Sequence, residues 1–182
     1  AKFDVDNTAV LLNDYNGMIA VSAEDVDYTL DLNDHTVTVS DGTAIQINTN
    51  NSSLTIKNGT VNAEGGTGAE VGVAYVGAGG SIVADDNVSL TLENVNLSAT
   101  GDAASDYGIV TNGQSSNVNI SLIGGSLYVP NTIGIYFPPV SGTLTIDGAE
   151  VSGTTGIAVK GGTVNILNDA KITGTGVAQD PE

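Results

Sequence analysis

One short pattern recurs six times along the chain and constrains its fold more than any other feature. In each copy, apolar residues alternate with polar ones, a bend follows, and a further apolar residue closes the pattern. The copies start 24, 36, 30, 24 and 20 residues apart, and the last has one extra residue: Leu30–Val37, Leu54–Val61, Leu90–Leu97, Ile120–Leu127, Leu144–Val151 and Val164–Ile172. Units repeated at roughly 20–50 residues cannot bury their apolar faces alone and stack into one core. The sequence therefore predicts a solenoid.

The alternation within each copy has a period of two, which predicts strands with one buried face. A second strand follows the bend, and a third recurs further on as a short apolar segment. We predict that one inward residue of each third strand joins a stack: Ile45, Val73, Ile109, Ile135 and Ile157. Three short strands per repeat are typical of a parallel β-helix, and unequal repeats suit the right-handed type. We expect an all-β, single-domain, right-handed parallel β-helix of about six coils.

The bend after the first strand carries a polar or small residue at one position of every copy. These residues are Asp34, Asn58, Asn94, Gly124, Gly148 and Asn168. Asn tolerates a left-handed backbone, and its amide can hydrogen bond to the next coil. We interpret the column as a partial asparagine ladder with a structural role.

The two ends of the chain differ from the repeats. Residues 1–27 fit the pattern poorly and are predicted to be an N-terminal capping segment, with Met18–Val21 as its strand. Residues 28–178 are predicted to form the β-helix, and 179–182 a C-terminal tail. Because no amphipathic cap follows the last repeat and an open parallel edge invites association, we expect the chain to be part of a longer protein.

Charge excludes one class of function. The 182 residues include four Lys, no Arg and 21 acidic residues, which gives a formal net charge of −17. Such a surface repels phosphate backbones and anionic membranes, so we expect no nucleic-acid partner. The sequence has no apolar segment of 18 residues, so we expect no membrane insertion here. Without Cys, the chain has neither disulfides nor a thiolate metal site.

The segment Tyr28-Thr-Leu-Asp-Leu-Asn-Asp-His-Thr-Val37 resembles the "YTLDLNGHTI" opening of β-helical regions in surface proteins of gut Firmicutes. The following Leu54-Thr-Ile-Lys-Asn-Gly-Thr-Val61 is similar to the next rung of those regions. The resemblance spans roughly 28–178, and Asp34 stands where that pattern usually has Gly. It implies a secreted or wall-attached bacterial protein of adhesin-like or carbohydrate-associated character.

The pectate-lyase-like class of this fold includes enzymes, so a catalytic function is an alternative for this chain. The chain has no Arg, its four Lys lie in different coils, and its only His is His35 at a bend, where a turn role is the simpler interpretation. The adjacent acidic pairs are Glu24-Asp25 and Asp85-Asp86. Glycan cleavage needs a proton shuttle and a group that stabilises developing charge. We expect no enzymatic activity; the alternative is a polysaccharide lyase or glycoside hydrolase.

Two long insertions, 62–70 and 98–106, fall at matching corners of neighbouring repeats. Loops added at one corner lie side by side, and solenoids build binding surfaces in this way. We predict a ligand-binding ledge lined by Glu64, Glu70, Asp102 and Asp106; insertions without a ligand are the alternative. Ca²⁺ is a possible cofactor here or at the alternating acids Asp4/Asp6 and Asp25/Asp27. A solvated acidic face is the competing interpretation, and the metal ligands stay unknown.

The aromatic residues complete the set of candidates. Parity points Tyr75, Tyr107 and Phe137 inward, and Tyr128 and Tyr136 outward, where a Tyr ring can stack on a sugar. The predicted function is a non-catalytic, adhesin-like β-helical module, secreted or attached to the cell wall, that binds a glycan or a host or bacterial surface protein. A purely structural spacer is a further alternative.

Overall fold

The computed structural model describes residues 7–73, 75–76 and 82–176. These residues form 20 strands joined by turns, which confirms the all-β prediction. None of the described residues belongs to a helix that could span a membrane. We number the strands β1 to β20 in chain order. Eighteen of them form three rows, and every pairing within a row is parallel. The other two, β9 (Tyr75–Val76) and β10 (Ile82–Val83), pair antiparallel with each other.

The three rows have the same chain order from end to end. Row 1 consists of β1 (Thr8–Val10), β4 (Asp27–Asp31), β7 (Ser52–Ala63), β11 (Val88–Ala99), β13 (Val118–Ile123), β16 (Gly142–Asp147) and β19 (Thr163–Leu167). Row 2 consists of β2 (Tyr15–Asn16), β5 (Thr36–Val39), the second halves of β7 and β11, β14 (Ser126–Tyr128), β17 (Glu150–Gly153) and β20 (Lys171–Gly174). Row 3 consists of β3 (Ile19–Val21), β6 (Ile45–Ile47), β8 (Ala69–Val71), β12 (Tyr107–Thr111), β15 (Ile133–Phe137) and β18 (Ile157–Val159).

The core lies between the rows and is built from columns of apolar residues in register. Leu54, Leu90, Ile120 and Leu144 pair along row 1, and each is at most 1 % exposed. Row 2 adds Val37, Val61, Leu97, Leu127 and Val151, all buried. Burying such side chains contributes roughly 1.5–3 kcal/mol each relative to leaving them exposed, so the columns are the main source of stability.

The structure corrects the predicted stack of row 3. Val73 is half-buried and outside the strands, and Ala69 of β8 takes its place between Ile45 and Ile109. Gly68, which precedes Ala69, permits this register, because any residue with a Cβ at position 68 would collide with the carbonyl oxygen of Gly108. Ile45, Ile109 and Ile135 are fully buried, whereas Ile157, in the last strand of the row, is half-buried.

The first repeat is also shifted from the predicted alignment. Tyr28, not Leu30, is in register with Leu54, and Leu30 pairs with Ile56. Row 2 nevertheless keeps the predicted pairing of Val37 with Val61. Two extra residues at the bend absorb the difference, and one of them, Leu32, is fully buried. The shift also places Thr29 beside Thr55 and so lengthens an outward column of small polar residues: Thr8, Thr29, Thr55, Thr91, Ser121, Thr145 and Asn165.

The bend column adopts the left-handed backbone that its composition predicts. Its φ angles run from 50° to 63° at Asp34, Asn58, Asn94, Gly124, Gly148 and Asn168. Asp34 fits this conformation, since Asp tolerates the left-handed region better than most residues. The described side chains form no amide-to-amide ladder here. Asn58 and Asn168 donate instead to the carboxylates of Asp31 and Asp147.

An amide ladder occurs at a different corner, just before row 1. The side chain of Asn51 donates to Asp25, Asn87 donates to Asn51, and Asn117 donates to Asn87, over 2.8–3.0 Å. All four residues have φ between 52° and 58°. Sequence analysis missed this ladder, although each Asn stands three residues before the start of its copy of the repeated pattern, at Leu54, Leu90 and Ile120.

The ends of the rows lie at the ends of the described chain. Among the described residues, β1, β2 and β3 begin the three rows and pair in parallel register with the strands that follow; they belong to the predicted capping segment 1–27, of which residues 7–27 are described. At the other end, Ile166 is 54 % exposed and Leu167 47 %. The predicted tail 179–182 lies outside the described residues.

Candidate functional site

The two insertions lie against each other, as the repeat spacing predicted. The amide of Thr100 donates to the carbonyl of Ala63 at 2.9 Å, and the amide of Tyr107 donates to the hydroxyl of Thr67 at 3.2 Å. Strands β7 and β11 pair in register up to Ala63 and Ala99, so both loops leave the same corner. Parallel pairing therefore fixes the loops side by side.

The structure does not bring the four acids of the predicted ledge together. Glu64 and Asp102 are exposed on their loops. Glu70 belongs to strand β8, where its carboxylate accepts a hydrogen bond from the Gln46 amide at 2.9 Å. The Asp106 carboxylate folds back on its own loop and accepts from the Ala103 amide at 2.9 Å. In the described part of the chain, no three acidic or His side chains are grouped to hold a metal ion.

A cleft of about 570 Å³ opens beside the second insertion, where three successive repeats turn from row 2 to row 3. We call it the corner cleft. Its lining combines one carboxylate, one aromatic ring and several neutral polar side chains: Ala104, Asp106, Tyr107, Asn131, Thr132, Ile133, Thr154, Thr155 and Gly176. Of the predicted ligand-binding residues, Asp106 lies in this lining.

Tyr107, which lines the cleft, is stacked on Tyr136. The ring centroids of Tyr107 and Tyr136 are 5.6 Å apart with an interplanar angle of 22°, and Lys160 Nζ lies 5.8 Å from the Tyr136 centroid. Tyr136 is on the outer side of β15, because its neighbours Ile135 and Phe137 are fully buried. Tyr107 therefore reaches the outer face, and its predicted inward orientation is wrong; it precedes Gly108 at the very start of β12, where alternation has not yet set in. Phe137 points inward as predicted, and the Tyr75 side chain lies outside the described residues.

Three side-chain oxygens at the cleft have hydrogen-bonding capacity that the described residues leave unused. The hydroxyl of Thr132, which lines the cleft, has no hydrogen-bond partner among the described residues, and leaving it unpaired costs free energy; its oxygen is almost fully covered, so a ligand reaches it only when the side chain or its neighbours move. Asn131 donates from its amide to the Thr100 carbonyl at 3.0 Å, which leaves its side-chain oxygen as an acceptor. The second oxygen of Asp106 is likewise open, since Ala103 engages only Oδ2.

Tyr128 does not join this site. It lies on β14 in row 2, 54 % exposed, and lines two other grooves with Ser152. Only one of the two outward tyrosines predicted from sequence is therefore next to the corner cleft. The residue that sequence reasoning missed is Tyr107; its position directly after the second insertion was the available signal.

A second cluster gathers acidic residues near the asparagine ladder. The pKa of Asp85 is raised, most strongly by partial burial and further by the neighbouring carboxylates of Asp86 and Glu24. Asp86 is held in place, since its Oδ1 accepts the Ser116 amide at 2.7 Å and its own amide donates to the Asn50 side chain at 2.8 Å. The predicted Ca²⁺ ligands Asp4 and Asp6 lie outside the described residues, and Asp25 is engaged by Asn51.

His35 sits at the bend, as predicted, and its Nδ1 is 3.4 Å from Asp14. The same carboxylate accepts the backbone amide of Thr36 at 2.9 Å. His35 is thus engaged by a neighbouring side chain and lies at the bend between rows 1 and 2, whereas the cleft lies where the chain turns from row 2 to row 3.

Comparison of the chain with family models, with curated proteins and with solved structures found no match.

Proposed function

We propose that this protein is a non-catalytic, adhesin-like surface module that binds a glycan in the corner cleft. The observation that carries the proposal is the stacked pair Tyr107 and Tyr136 beside the unpartnered hydroxyl of Thr132. Sugars present apolar C–H faces together with many hydroxyls, so a site that recognises them combines an aromatic surface with neutral donors and acceptors. A net charge of −17 further favours a neutral ligand over a polyanion.

The architecture we propose for this module is a right-handed parallel β-helix. Its support is the identical chain order of the three rows, in which successive strands pass from row 1 to row 2 to row 3 and back. With β1–β3 counted as one turn, the described strands would make seven turns, the last lacking a row 3 strand, compared with the predicted six. Connections between parallel strands are overwhelmingly right-handed, which supports the handedness.

The location and partners of the module are part of the same proposal. The resemblance of roughly 28–178 to β-helical surface regions supports an extracellular or wall-attached protein, and a host or bacterial surface glycoprotein would supply the glycan. We propose no nucleic-acid partner, because binding to a phosphate backbone requires a cationic surface that a chain with four Lys cannot supply. Retention on heparin above ~0.1 M salt would argue against this part of the proposal.

A glycan array followed by calorimetric titration of the best ligand tests the cleft. Tyr107→Ala should weaken binding about tenfold or more, equivalent to about 1.4 kcal/mol. Tyr128→Ala is the matched control, because it removes an exposed tyrosine from another row and should leave the affinity unchanged. Equal losses in the two variants would move the site away from the cleft.

Thr132→Val provides a sharper test, because it removes only the unpartnered hydroxyl and preserves the shape of the side chain. In the free protein it should be neutral or stabilising, since a buried unpaired hydroxyl is lost. It should weaken glycan binding if that hydroxyl contacts the ligand. Unchanged affinity in both Thr132→Val and Tyr107→Ala would refute the glycan site.

One observation favours a carbohydrate-active enzyme as a second candidate. A carboxyl group whose pKa is raised by burial and by neighbouring carboxylates is the usual general acid of a glycosidase, and Asp85 has that environment. Turnover of polygalacturonate, pectin or alginate, measured as reducing ends or unsaturated product, that disappears in Asp85→Asn would establish this candidate in place of the non-catalytic module.

A further inference from the structure

The corner cleft presents unused acceptors and lacks a cation. Asp106 Oδ1 and the side-chain oxygen of Asn131 accept no hydrogen bond from the described residues. A carboxylate accepts hydrogen bonds and cannot donate them. None of the described residues that line the cleft is Lys, Arg or His. A ligand that matches this lining therefore has to supply donors.

Asp106 and Asn131 lie near each other, because both contact the same short stretch of chain. Asn131 donates from its amide to the Thr100 carbonyl at 3.0 Å. The next residue, Gly101, lies directly against Asp106 Oδ2, where an added Cβ would collide with it. The same oxygen accepts the Ala103 amide at 2.9 Å. These contacts fix the Asp106 carboxylate and leave Oδ1 as the atom that a ligand can reach.

The charge around the cleft has one sign. The two insertions, 62–70 and 98–106, contain four acidic residues and no Lys or Arg: Glu64, Glu70, Asp102 and Asp106. The whole chain carries a formal net charge of −17. A field of this kind raises the local concentration of cations and speeds their association. It attracts a cationic ligand more strongly than a neutral one.

Tyr107 adds an aromatic surface that suits a cation. An ammonium group is attracted to the face of a Tyr ring within about 6 Å of its centroid. The neighbouring ring of Tyr136 already has such a contact, with Lys160 Nζ at 5.8 Å. Tyr107, and not Tyr136 or Lys160, is among the residues that line the cleft. The cleft thus combines a carboxylate oxygen, a neutral acceptor and an aromatic face.

We propose that the corner cleft selects glycans with free amino groups, that is, hexosamine units without an N-acetyl group, and that Asp106 binds the sugar ammonium. This inference rests on the proposed glycan site and names its ligand class. An ammonium has three donors and no acceptor, so it matches the free oxygens of Asp106 and Asn131. An N-acetyl group has one N–H and no charge. Hydrogen bonds between charged partners are roughly twice as strong as neutral ones, so the free amine binds more tightly.

Calorimetric titration with a matched pair of sugars tests this preference. The probes are the trimers of glucosamine and of N-acetylglucosamine, which have the same length and linkage. At about pH 5.5, well below the usual pKa of an amine of this kind, the parent protein should bind the glucosamine trimer about tenfold more tightly. The ratio should shrink between ~0.1 M and ~1 M salt, as the Debye length falls from about 10 Å to about 3 Å.

Asp106→Asn isolates the contribution of the carboxylate. Asn can keep its side-chain oxygen on the Ala103 amide, so the loop is retained while the charge is lost. The variant should lose most of the tenfold preference and bind the N-acetylglucosamine trimer within about twofold of the parent. Asp102→Asn is the matched control, because it makes the same charge change in the same loop but outside the lining of the cleft. An Asp106→Asn variant that keeps the preference, or an equal loss in Asp102→Asn, would overturn the proposal.

The comparison in the parent protein distinguishes this inference from the proposed function. Equal affinity for the two trimers, tighter binding of the N-acetylated one, or binding only of another sugar on the array would overturn the preference and leave the glycan site in place. If no glycan on the array binds, the proposed function itself fails. A trilysine peptide with the affinity of the glucosamine trimer would also overturn the proposal, because the cleft would then select cations and not amino sugars.

Discussion

Asn87 donates a hydrogen bond from its side-chain amide to the side-chain oxygen of Asn51, 2.8 Å away, and accepts one from Asn117 at 2.9 Å. The three residues stand on successive repeats, each in a left-handed backbone conformation. The ladder thus satisfies exposed turn amides and links the repeats at the corner where row 3 leads into row 1. Because each Asn combines a left-handed backbone with a side-chain hydrogen bond, substitutions here can measure the two contributions to stability separately.

Replacing Asn87 should therefore have two separable effects. Asn87→Ala should destabilise the protein by about 2 kcal/mol, from the strained φ of 56° and from the lost hydrogen bonds. Asn87→Gly keeps the backbone conformation and should lose about 1 kcal/mol, for the hydrogen bonds alone. Urea unfolding of both variants measures the difference. If glycine costs as much as alanine, the left-handed conformation is not a source of strain.

Gly68, Gly108, Gly134 and Gly156 occupy one register position of row 3, directly before its inward column, and this glycine column should tolerate no side chain. A Cβ on Gly134 would meet the carbonyl oxygen of Gly156, so Gly134→Ala should destabilise the fold by about 1–3 kcal/mol or more. At Gly113 the nearest atoms would be those of Pro138 at 3.7 Å, an ordinary contact, so Gly113→Ala should change the unfolding free energy by less than about 0.5 kcal/mol. Similar losses in the two variants would show that the close approach in row 3 can relax.

Asp85 should make stability depend on pH in a defined direction. Burial and two neighbouring carboxylates raise its pKa in the folded chain, so folding favours its protonated form. Its stabilising contribution is complete below the unfolded-state pKa of about 3.9 and is lost as pH rises through the higher folded-state pKa. Asp85→Asn should therefore stabilise the protein at pH 7, and the gain should vanish near pH 3.

The control for this experiment is Asp41→Asn, which removes an exposed carboxylate. Thermal unfolding of the parent and both variants from pH 3 to 8 gives the comparison. A gain in Asp85→Asn that is independent of pH, or one that Asp41→Asn reproduces, would assign the effect to net charge and not to the environment of Asp85.

Calcium should not stabilise the corner that carries the two insertions. Gln46 already engages Glu70 in strand β8, and Asp106 is turned onto the Ala103 amide, so the acids predicted to form a ledge point to different partners. We expect the same Tm in millimolar Ca²⁺ and in EDTA. A rise in Tm that disappears in the double variant Glu70→Gln/Asp106→Asn would restore the calcium site, because only a ligand bound to the native state produces such a rise.

Local alternation was enough to predict much of the fold from sequence. Leu54 and Ile56 are separated by one outward Thr, and only a strand with one buried face buries both apolar side chains. The same pattern in every repeat therefore predicted the strands, their parallel stacking and the inward column of row 1. The left-handed bend at Asn58 followed from residue type in the same way. The third strand of the second full repeat could not be placed in this way: the sequence predicted Val73 in the stack, and the folded chain places Ala69, directly after Gly68, between Ile45 and Ile109.

The sequence by itself determined the repeat, the strand faces and the acidic surface, because each depends on residues close together in the chain or on composition alone. The tertiary structure decided which distant side chains meet. Tyr107 lies on Tyr136, Asn87 bonds to Asn51, and Glu70 is engaged by Gln46 only once unequal repeats are brought into register. Insertions of different length shift that register by whole residues, and every shift of one residue moves a side chain to the opposite face of its strand. The stacked tyrosines of the corner cleft could therefore be found only in the folded chain.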